Sequence, residues 1–442
     1  MPSYLLNEVF GTSRTIPHSY TDRTGIDDLF IESIKKQRHI VIYGSSKQGK
    51  TSLRKKHLKA SDYVTITCND KQTVAQLNQN ILKQAGFQFI SSKTETISGS
   101  LRGGIEAGIK LLIKAKGDFE GSMEKQTETN PLEIDPEDVN DVIKALQSIN
   151  FNKIILLEDF HYLNPETQKT FANNLKTFYD DSDFTFIILG AWVDKNRLIT
   201  LNGDLASRLI SINVDNWNIE NLKQVIKKGC DLLNIVFDDR LIEDIIHESF
   251  DNVYYVQEMC HKICGRYKIE QTLLVGTPLT ILNGYYDERG NYIETEVVQD
   301  NRFYIRDVPY FNQIAKEIAE RHSGRYQTFI TQFSEIDSAS EIKVSKWIIR
   351  SIVNSDITNL QEGIPFHKIL NWIKENNPES QLVSEKAISY ILKQVISFQF
   401  LNNIRPIIID YEEGTKKVNI VDKEFIIWLS FQEKKIIEKL IE

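Results

Sequence analysis

The tightest constraint on this chain is the run His39 to Leu53, which reads His-Ile-Val-Ile-Tyr-Gly-Ser-Ser-Lys-Gln-Gly-Lys-Thr-Ser-Leu. Ile40, Val41, Ile42 and Tyr43 form a short, apolar, β-prone segment suited to a buried parallel strand. Gly44 to Thr51 then fit G-x-x-x-x-G-K-[ST], and the residues after Thr51 read as helix. Strand, glycine-bounded loop and helix together describe an anion cradle. Gly44 and Gly49 allow backbone geometries that a Cβ would block. The N–H groups of the loop and of the following helix start then face a phosphate chain. Candidate contacts are Gly44, Ser45, Ser46, Lys47, Gln48, Gly49, Lys50, Thr51 and Ser52. Lys50 would place a charge on the β- and γ-phosphates, and the Thr51 hydroxyl would ligate Mg²⁺.

A chain of 442 residues has room for two to four domains and ample core. With 41% hydrophobic and 26% charged residues it reads as an ordinary soluble, cytoplasmic protein. No apolar run approaches the roughly 20 residues of a membrane span, and the start lacks a signal-peptide pattern. Four cysteines in this length fit a reducing compartment. Cys260 and Cys264 flank His261 at one-turn spacing and read as buried thiols, not as a metal knuckle. The net charge of −8 argues against a chain built mainly to grip nucleic acid.

Taken in order, residues 1–37 are an N-terminal segment expected to pack on the core, with a helix beginning near Asp27. Residues 38–215 alternate strands and helices and predict an α/β domain with a parallel sheet. Its strands fall at Tyr63–Cys68, Lys153–His161 and Phe184–Gly190, and its helices at Val74–Ala85, Pro136–Ile149 and Pro165–Tyr179. Within it, residues 91–135 are rich in glycine, serine and threonine, as either a β-hairpin or a mobile insertion that orders on a partner. Residues 216–270 hold three helices without strands, which describes a lid. Residues 271–340 are a mixed connector, with Asn283-Gly284 and Arg289-Gly290-Asn291 as turns of a small hairpin. Residues 341–442 give helices at Val344–Val353, Phe366–Glu375 and Ser384–Ser397, then strands at Arg405–Asp410 and Lys417–Asp422 and a last helix at Glu424–Ile441. Three helices and a hairpin describe a winged helix.

The strand Ile154-Ile-Leu-Leu ends in Glu158-Asp159. A metal-bound phosphate needs one acid at the end of a neighbouring strand, and hydrolysis needs a second group to orient water. By position Glu158 would serve the metal and Asp159 would polarise the water.

On these residues the chain resembles the AAA+/STAND class of P-loop ATPases, with a layout similar to origin-recognition-type ATPases. Gly44–Thr51 matches the family's first motif and Ile154–Asp159 its second. Tyr20-Thr-Asp-Arg23 resembles the segment that packs by the adenine, which makes Tyr20 and Arg23 candidate nucleotide contacts. The resemblance implies a P-loop core with a parallel sheet, a helical lid and a C-terminal winged helix, using ATP and Mg²⁺. The acids stand in the order Glu-Asp in place of the usual Asp-Glu, which implies slow turnover. Asn202-Gly-Asp-Leu-Ala-Ser-Arg208 resembles the segment that offers an arginine finger to a neighbouring subunit, so Arg208 is a catalytic candidate in trans. No polar sensor follows Gly190, and Asp251–Gln257 lacks the arginine that many relatives carry in the lid.

The expected activity is a nucleotide-dependent switch that controls assembly with itself or with a separate effector protein, as in bacterial defence or signalling. A DNA-binding loader or remodeller of the replication or transposition type is the alternative. It is not favoured, because Ser384–Ser397 offers only Lys386 and Lys393 to phosphates.

Overall fold

The computed structural model describes residues 3–12, 15–90, 111–115, 132–274, 279–286, 292–299, 302–306, 308–337 and 343–441. Its central sheet is made of β1 (His39–Tyr43), β2 (Tyr63–Thr67), β3 (Ile154–Glu158), β4 (Phe186–Gly190) and β5 (Leu209–Asn213). All five are parallel, in the order β2-β3-β4-β1-β5. β1 and β4 are buried at every position, as central strands covered by helices on both faces must be. Alternate residues feed two separate cores. Val41, Tyr43, Ile155, Leu157 and Ile188 pack against helices Val74–Ala85, Val139–Ser148 and Pro165–Asp181. Ile40, Ile42, Leu156, Ile187 and Leu189 pack against Phe30 and Leu53 on the other face. Because the strands run one way, the Gly44 loop and the Glu158-Asp159 pair emerge at the same end of the sheet. The strand order reverses at β1, and a crevice opens there.

Helices Ile219–Leu233, Asp239–Ser249 and Val253–Arg266 form the lid, but not without strands as expected, since Ile235–Phe237 between the first two pairs in parallel with Phe303–Ile305. Its core takes in Leu6, Val9 and Phe10 from the N-terminal segment and Ile314, Ala315 and Ile318 from helix Phe311–Ala319. A Cβ on Gly229 would stand 2.2 Å from the Phe10 ring, so this contact requires glycine. The N-terminal segment is thus divided: Leu6–Phe10 pack on the lid, while Ile26 and Phe30 pack on the sheet. The connector is divided likewise, because helix Ser323–Ser334 gives Tyr326, Phe329, Ile330 and Phe333 to the C-terminal core. All four cysteines are free and buried. Among the described residues, no helix is long and apolar enough to cross a membrane.

The C-terminal domain contains helices Val344–Val353, Ile357–Glu362, Phe366–Asn376, Glu385–Lys393 and Val395–Leu401 and a three-stranded sheet of Ile364–Pro365, Lys417–Ile420 and Ile409–Glu412. Helix Ile357–Glu362 and strand Ile364–Pro365 are not among the elements expected from the sequence, and three expected elements have other bounds. The helix expected over Ser384–Ser397 is interrupted at Gln394. The first wing strand begins at Ile409, not Arg405, since Pro406 has no N–H to give a ladder. The last helix divides into Lys423–Ser430 and Lys434–Ile441, which lets Ile427 reach the lid core while Ile437 and Ile441 stay in the C-terminal one. Elsewhere, Asn283-Gly284 lies inside strand Leu279–Tyr286, paired in register with Thr295 and Glu294, and is not a turn. Arg289-Gly290-Asn291 lies outside the described residues. Of the stretch 91–135, Leu111–Ala115 and Leu132–Ile134 form an antiparallel sheet with Phe87–Ile90; most of the remainder lies outside the described residues.

Candidate functional site

The loop leaves β1 at Gly44, which has a φ of 142°, and enters helix Lys50–His57 through Gly49, with a φ of 90°. Both angles are strained for any residue with a side chain. At Gly44 an added Cβ would also stand 2.7 Å from Asp215. Asp215, just past β5, accepts the Ser45 N–H at 2.8 and 2.9 Å and the Ser45 hydroxyl at 2.8 Å. The loop is therefore gripped from the edge of the sheet by a residue that sequence reasoning missed. The Lys50 ammonium folds back on the loop, donating to the carbonyls of Gly44 at 2.9 Å and Ser45 at 2.6 Å. Burial there lowers its pKa to about 8, against the opposing pull of Asp215 and Asp159.

Two cavities meet at this loop. The larger, about 400 Å³, opens toward the N-terminal segment and the lid, with Tyr20, Arg23, Trp217, Val225, Tyr254 and Gln257 among its walls. Arg23 is buried, donates to the Val214 carbonyl at 2.8 Å, and lies 4.3 Å over the Trp217 ring. Its Nε and Nη2 have no partner among the described residues, so donors remain for a ligand. Asp27 holds this wall in place: it accepts from the Tyr20 hydroxyl at 2.6 Å and the Arg23 N–H at 2.8 Å, and pairs with His57 at 2.7 Å. Asp22, Asp27 and His57 are close enough together to suggest a cation site. Those three bonds to Asp27 explain the cluster as a structural brace. The size and the aromatic and aliphatic walls at Tyr20, Trp217, Val225, Val253 and Tyr254 would suit a nucleoside, with Arg23 and Gln257 among the polar groups.

The smaller cavity, about 190 Å³, lies on the other side of the loop, between Lys50, Thr51, Glu158, Asp159, His161 and Pro406. Glu158 is engaged by Arg54, whose Nη2 donates at 2.6 Å. Arg54 stands three residues past Thr51, and its role was not legible from the motif. Asp159 has a φ of 59°, an uncommon angle for a residue with a side chain. Its carboxyl is pushed above the usual range by burial and by the adjacent Glu158, against the pull of Lys50. Arg208 is elsewhere. It precedes β5 at the strand end that pairs with His39, opposite the loop, and binds Asp180 at 2.7 Å. It cannot reach its own loop, and a contribution to a neighbouring subunit would require releasing Asp180. In the lid, the turn at Asp251–Gln257 brings Tyr254 to the loop, with the Lys47 ammonium 4.0 Å over its ring.

The C-terminal domain closes directly on the loop. The Ser46 N–H donates to the Val421 carbonyl at 2.9 Å, and Lys47 donates to Glu424 at 2.9 and 3.2 Å. Arg405 binds Asp70 at 2.9 Å, Arg197 binds Asp410 at 2.9 Å, and Ala191 packs with Ile407 and Val421. These contacts span up to 377 residues of sequence, and none had a local signal.

Phosphate bound at this loop would carry a proton signature. Lys50 loses its proton near pH 8 in the free protein, whereas phosphate oxygens favour the ammonium. Nucleotide affinity is therefore expected to be flat below about pH 7 and to fall by up to about tenfold per unit above about pH 8. Calorimetry at pH 8.5 in buffers of different ionisation enthalpy should show proton uptake on binding; equal heats would exclude it.

The fold, with its β2-β3-β4-β1-β5 parallel sheet, helical lid and C-terminal winged helix, is similar to that of a Walker-type ATPase. Among solved structures, the Walker-type ATPase PABY2304 of Pyrococcus abyssi aligns at a TM-score of 0.53 and 12% identity, over 96% of this chain and 99% of that one. The ORC1 protein of Aeropyrum pernix, in complex with DNA, aligns at 0.45 and 11%, over 99% and 96%. A STAND protein with a tetratricopeptide repeat sensor from Pyrococcus horikoshii gives 0.35 and 12%, over 96% of this chain and 46% of that one. No protein-family model and no curated protein matches the sequence. At such identities the likeness is one of fold.

Proposed function

We propose that this chain is an ATP-binding switch in which nucleotide at the Gly44–Thr51 loop sets the position of the winged-helix domain, and through it assembly with further copies or with a separate effector protein. The observation that carries this reading is the direct bonding of the C-terminal domain to the loop itself, through Ser46–Val421 and Lys47–Glu424. The residues present fit a magnesium nucleotide. The two glycines leave a cradle, Lys50 supplies a cation, and the free donors of Arg23 stand beside the larger cavity. Thr51 and Glu158 would hold Mg²⁺, which when bound neutralises phosphate charge. Asp159, its carboxyl raised by burial and by the adjacent Glu158, would take the proton of an attacking water. Glu158 must first exchange Arg54 for the metal, and this supports slow turnover. Arg208 would act only across a subunit boundary.

Protein contact is favoured over DNA for the winged helix. Lys393, one of the two lysines on helix Glu385–Lys393, is already paired with Glu413 of the wing. Tyr390, on the same helix, is exposed. A role in bacterial defence or signalling fits a switch of this kind. Solution scattering and light scattering should show a larger or more open particle with a non-hydrolysable ATP analogue than with ADP. Arg208→Ala should abolish assembly while leaving binding intact. An unchanged particle in both nucleotides would overturn the switch.

A further inference from the structure

His161 lies in the short turn Phe160–Tyr162 that follows β3 and is almost fully buried, 4% exposed. Its Nδ1 accepts the Ala191 N–H at 3.2 Å, which leaves the ring proton on Nε2. That Nε2–H is buried and has no partner among the described residues. A buried donor without an acceptor is destabilising, so it calls for an explanation. His161 also lines the small cavity with Lys50, Thr51, Glu158 and Asp159. Burial, and then the nearby positive charges of Lys50, Arg197 and Arg405, hold the imidazole well below its usual pKa. A neutral ring offers one donor and no net charge. The matching occupant is an acceptor, and the Lys50 ammonium in the same cavity favours an anionic oxygen. At the end of β4 the chain runs Gly190-Ala191-Trp192, of which Gly190 and Ala191 line this cavity without a polar side chain.

We infer that His161 reads the terminal phosphate: its Nε2–H donates to a γ-phosphate oxygen, and its Nδ1 ties that contact to Ala191. The second bond gives the reading an outlet. Ala191 packs against Ile407 and Val421 of the C-terminal domain, and Val421 also accepts the Ser46 N–H. The next residue, Tyr162, meets Phe400 edge to face at 5.4 Å, with Arg405 stacked over it at 5.0 Å. One turn of chain thus touches the phosphate cavity on one side and the winged helix on the other. ATP and ADP would differ by whether His161 has its acceptor.

This inference rests on nucleotide binding at the loop, and the experiment separates the two. Dissociation constants of full-length wild type, His161→Asn and His161→Gln are measured by calorimetry for Mg²⁺ with ATPγS and with ADP. Asn keeps an acceptor for Ala191 and loses the outer donor, whereas Gln restores an N–H near the Nε2 position. His161→Asn should weaken ATPγS about tenfold and ADP less than about twofold, and His161→Gln should recover most of the preference. An unchanged ATPγS-to-ADP ratio in His161→Asn, or equal weakening of both nucleotides in both variants, would overturn it. Wild type that binds neither nucleotide would overturn the underlying reading, and this one with it.

Discussion

Replacing Lys50 with alanine is expected to reduce affinity for Mg²⁺-ATP by about 100-fold or more while leaving the melting temperature close to that of the wild type. The two halves of this expectation have different causes. In the free protein the ammonium is surrounded by the loop and, among the described residues, bonded only to the carbonyls of Gly44 and Ser45. Its pKa of about 8 shows that burial there works against the charge. Removing it relieves that cost and frees two carbonyls, effects that oppose each other. With a polyphosphate present the balance changes, because the same ammonium gains charge-assisted bonds worth about 1.5–3 kcal/mol each. Losing about 3 kcal/mol corresponds to roughly 100-fold in affinity. Calorimetric titration beside a thermal melt checks both halves. Wild-type affinity in the variant would remove the loop from the site, and a collapsed melt would show that Lys50 is structural.

The parts of this molecule that could be read from the sequence are those with local signals. Gly44, Gly49, Lys50 and Thr51 are close neighbours in sequence, and the four apolar residues before Glu158 mark a buried strand by themselves. Parallel order followed from the alternation of strands and helices. What escaped is set by packing over long separations. Asp215 meets Ser45 across 170 residues, and Glu424 meets Lys47 across 377. Nothing in the immediate surroundings of either acid marks it as a partner of the loop. Arg54 and Glu158 were both near recognised motifs, yet their pairing depends on the side-by-side placement of β2 and β3 beside the loop helix. His161 was read only as the end of a strand, because its meaning lies in the unpaired Nε2 and not in its neighbours. Asn283-Gly284 shows the opposite failure: a strong local turn signal is overridden by a partner strand that pairs straight through it.

The second large effect is expected at the joint between the winged helix and the loop. Glu424→Lys should release the C-terminal domain from the nucleotide core. Glu424 is buried at the start of helix Lys423–Ser430, facing Lys47 at 2.9 Å with His322 at 3.6 Å. Near a protein surface, two unit charges about 4 Å apart interact by about 4 kcal/mol, so reversing one exchanges that attraction for a comparable repulsion. Asp422 offers the new lysine little relief, since it is already engaged by Arg325 and the Tyr326 hydroxyl. Of the contacts that remain, Arg405–Asp70 and Arg197–Asp410 are at the sides of the joint, and only the single backbone bond from Ser46 to Val421 still holds the loop among the described residues. The expected results are a larger radius of gyration, faster proteolysis between the lid and the C-terminal domain, and nucleotide release faster by about tenfold or more, as the loop loses its cover. The charge swap Lys47→Glu with Glu424→Lys should restore compactness, because it rebuilds the pair in reverse. If Glu424→Lys remains compact and releases nucleotide at the wild-type rate, closure does not depend on this pair. If the swap fails to restore what the single change removes, the effect belongs to the C-terminal core and not to the joint. Only release that the swap reverses ties the phosphate loop to the winged helix as one switch.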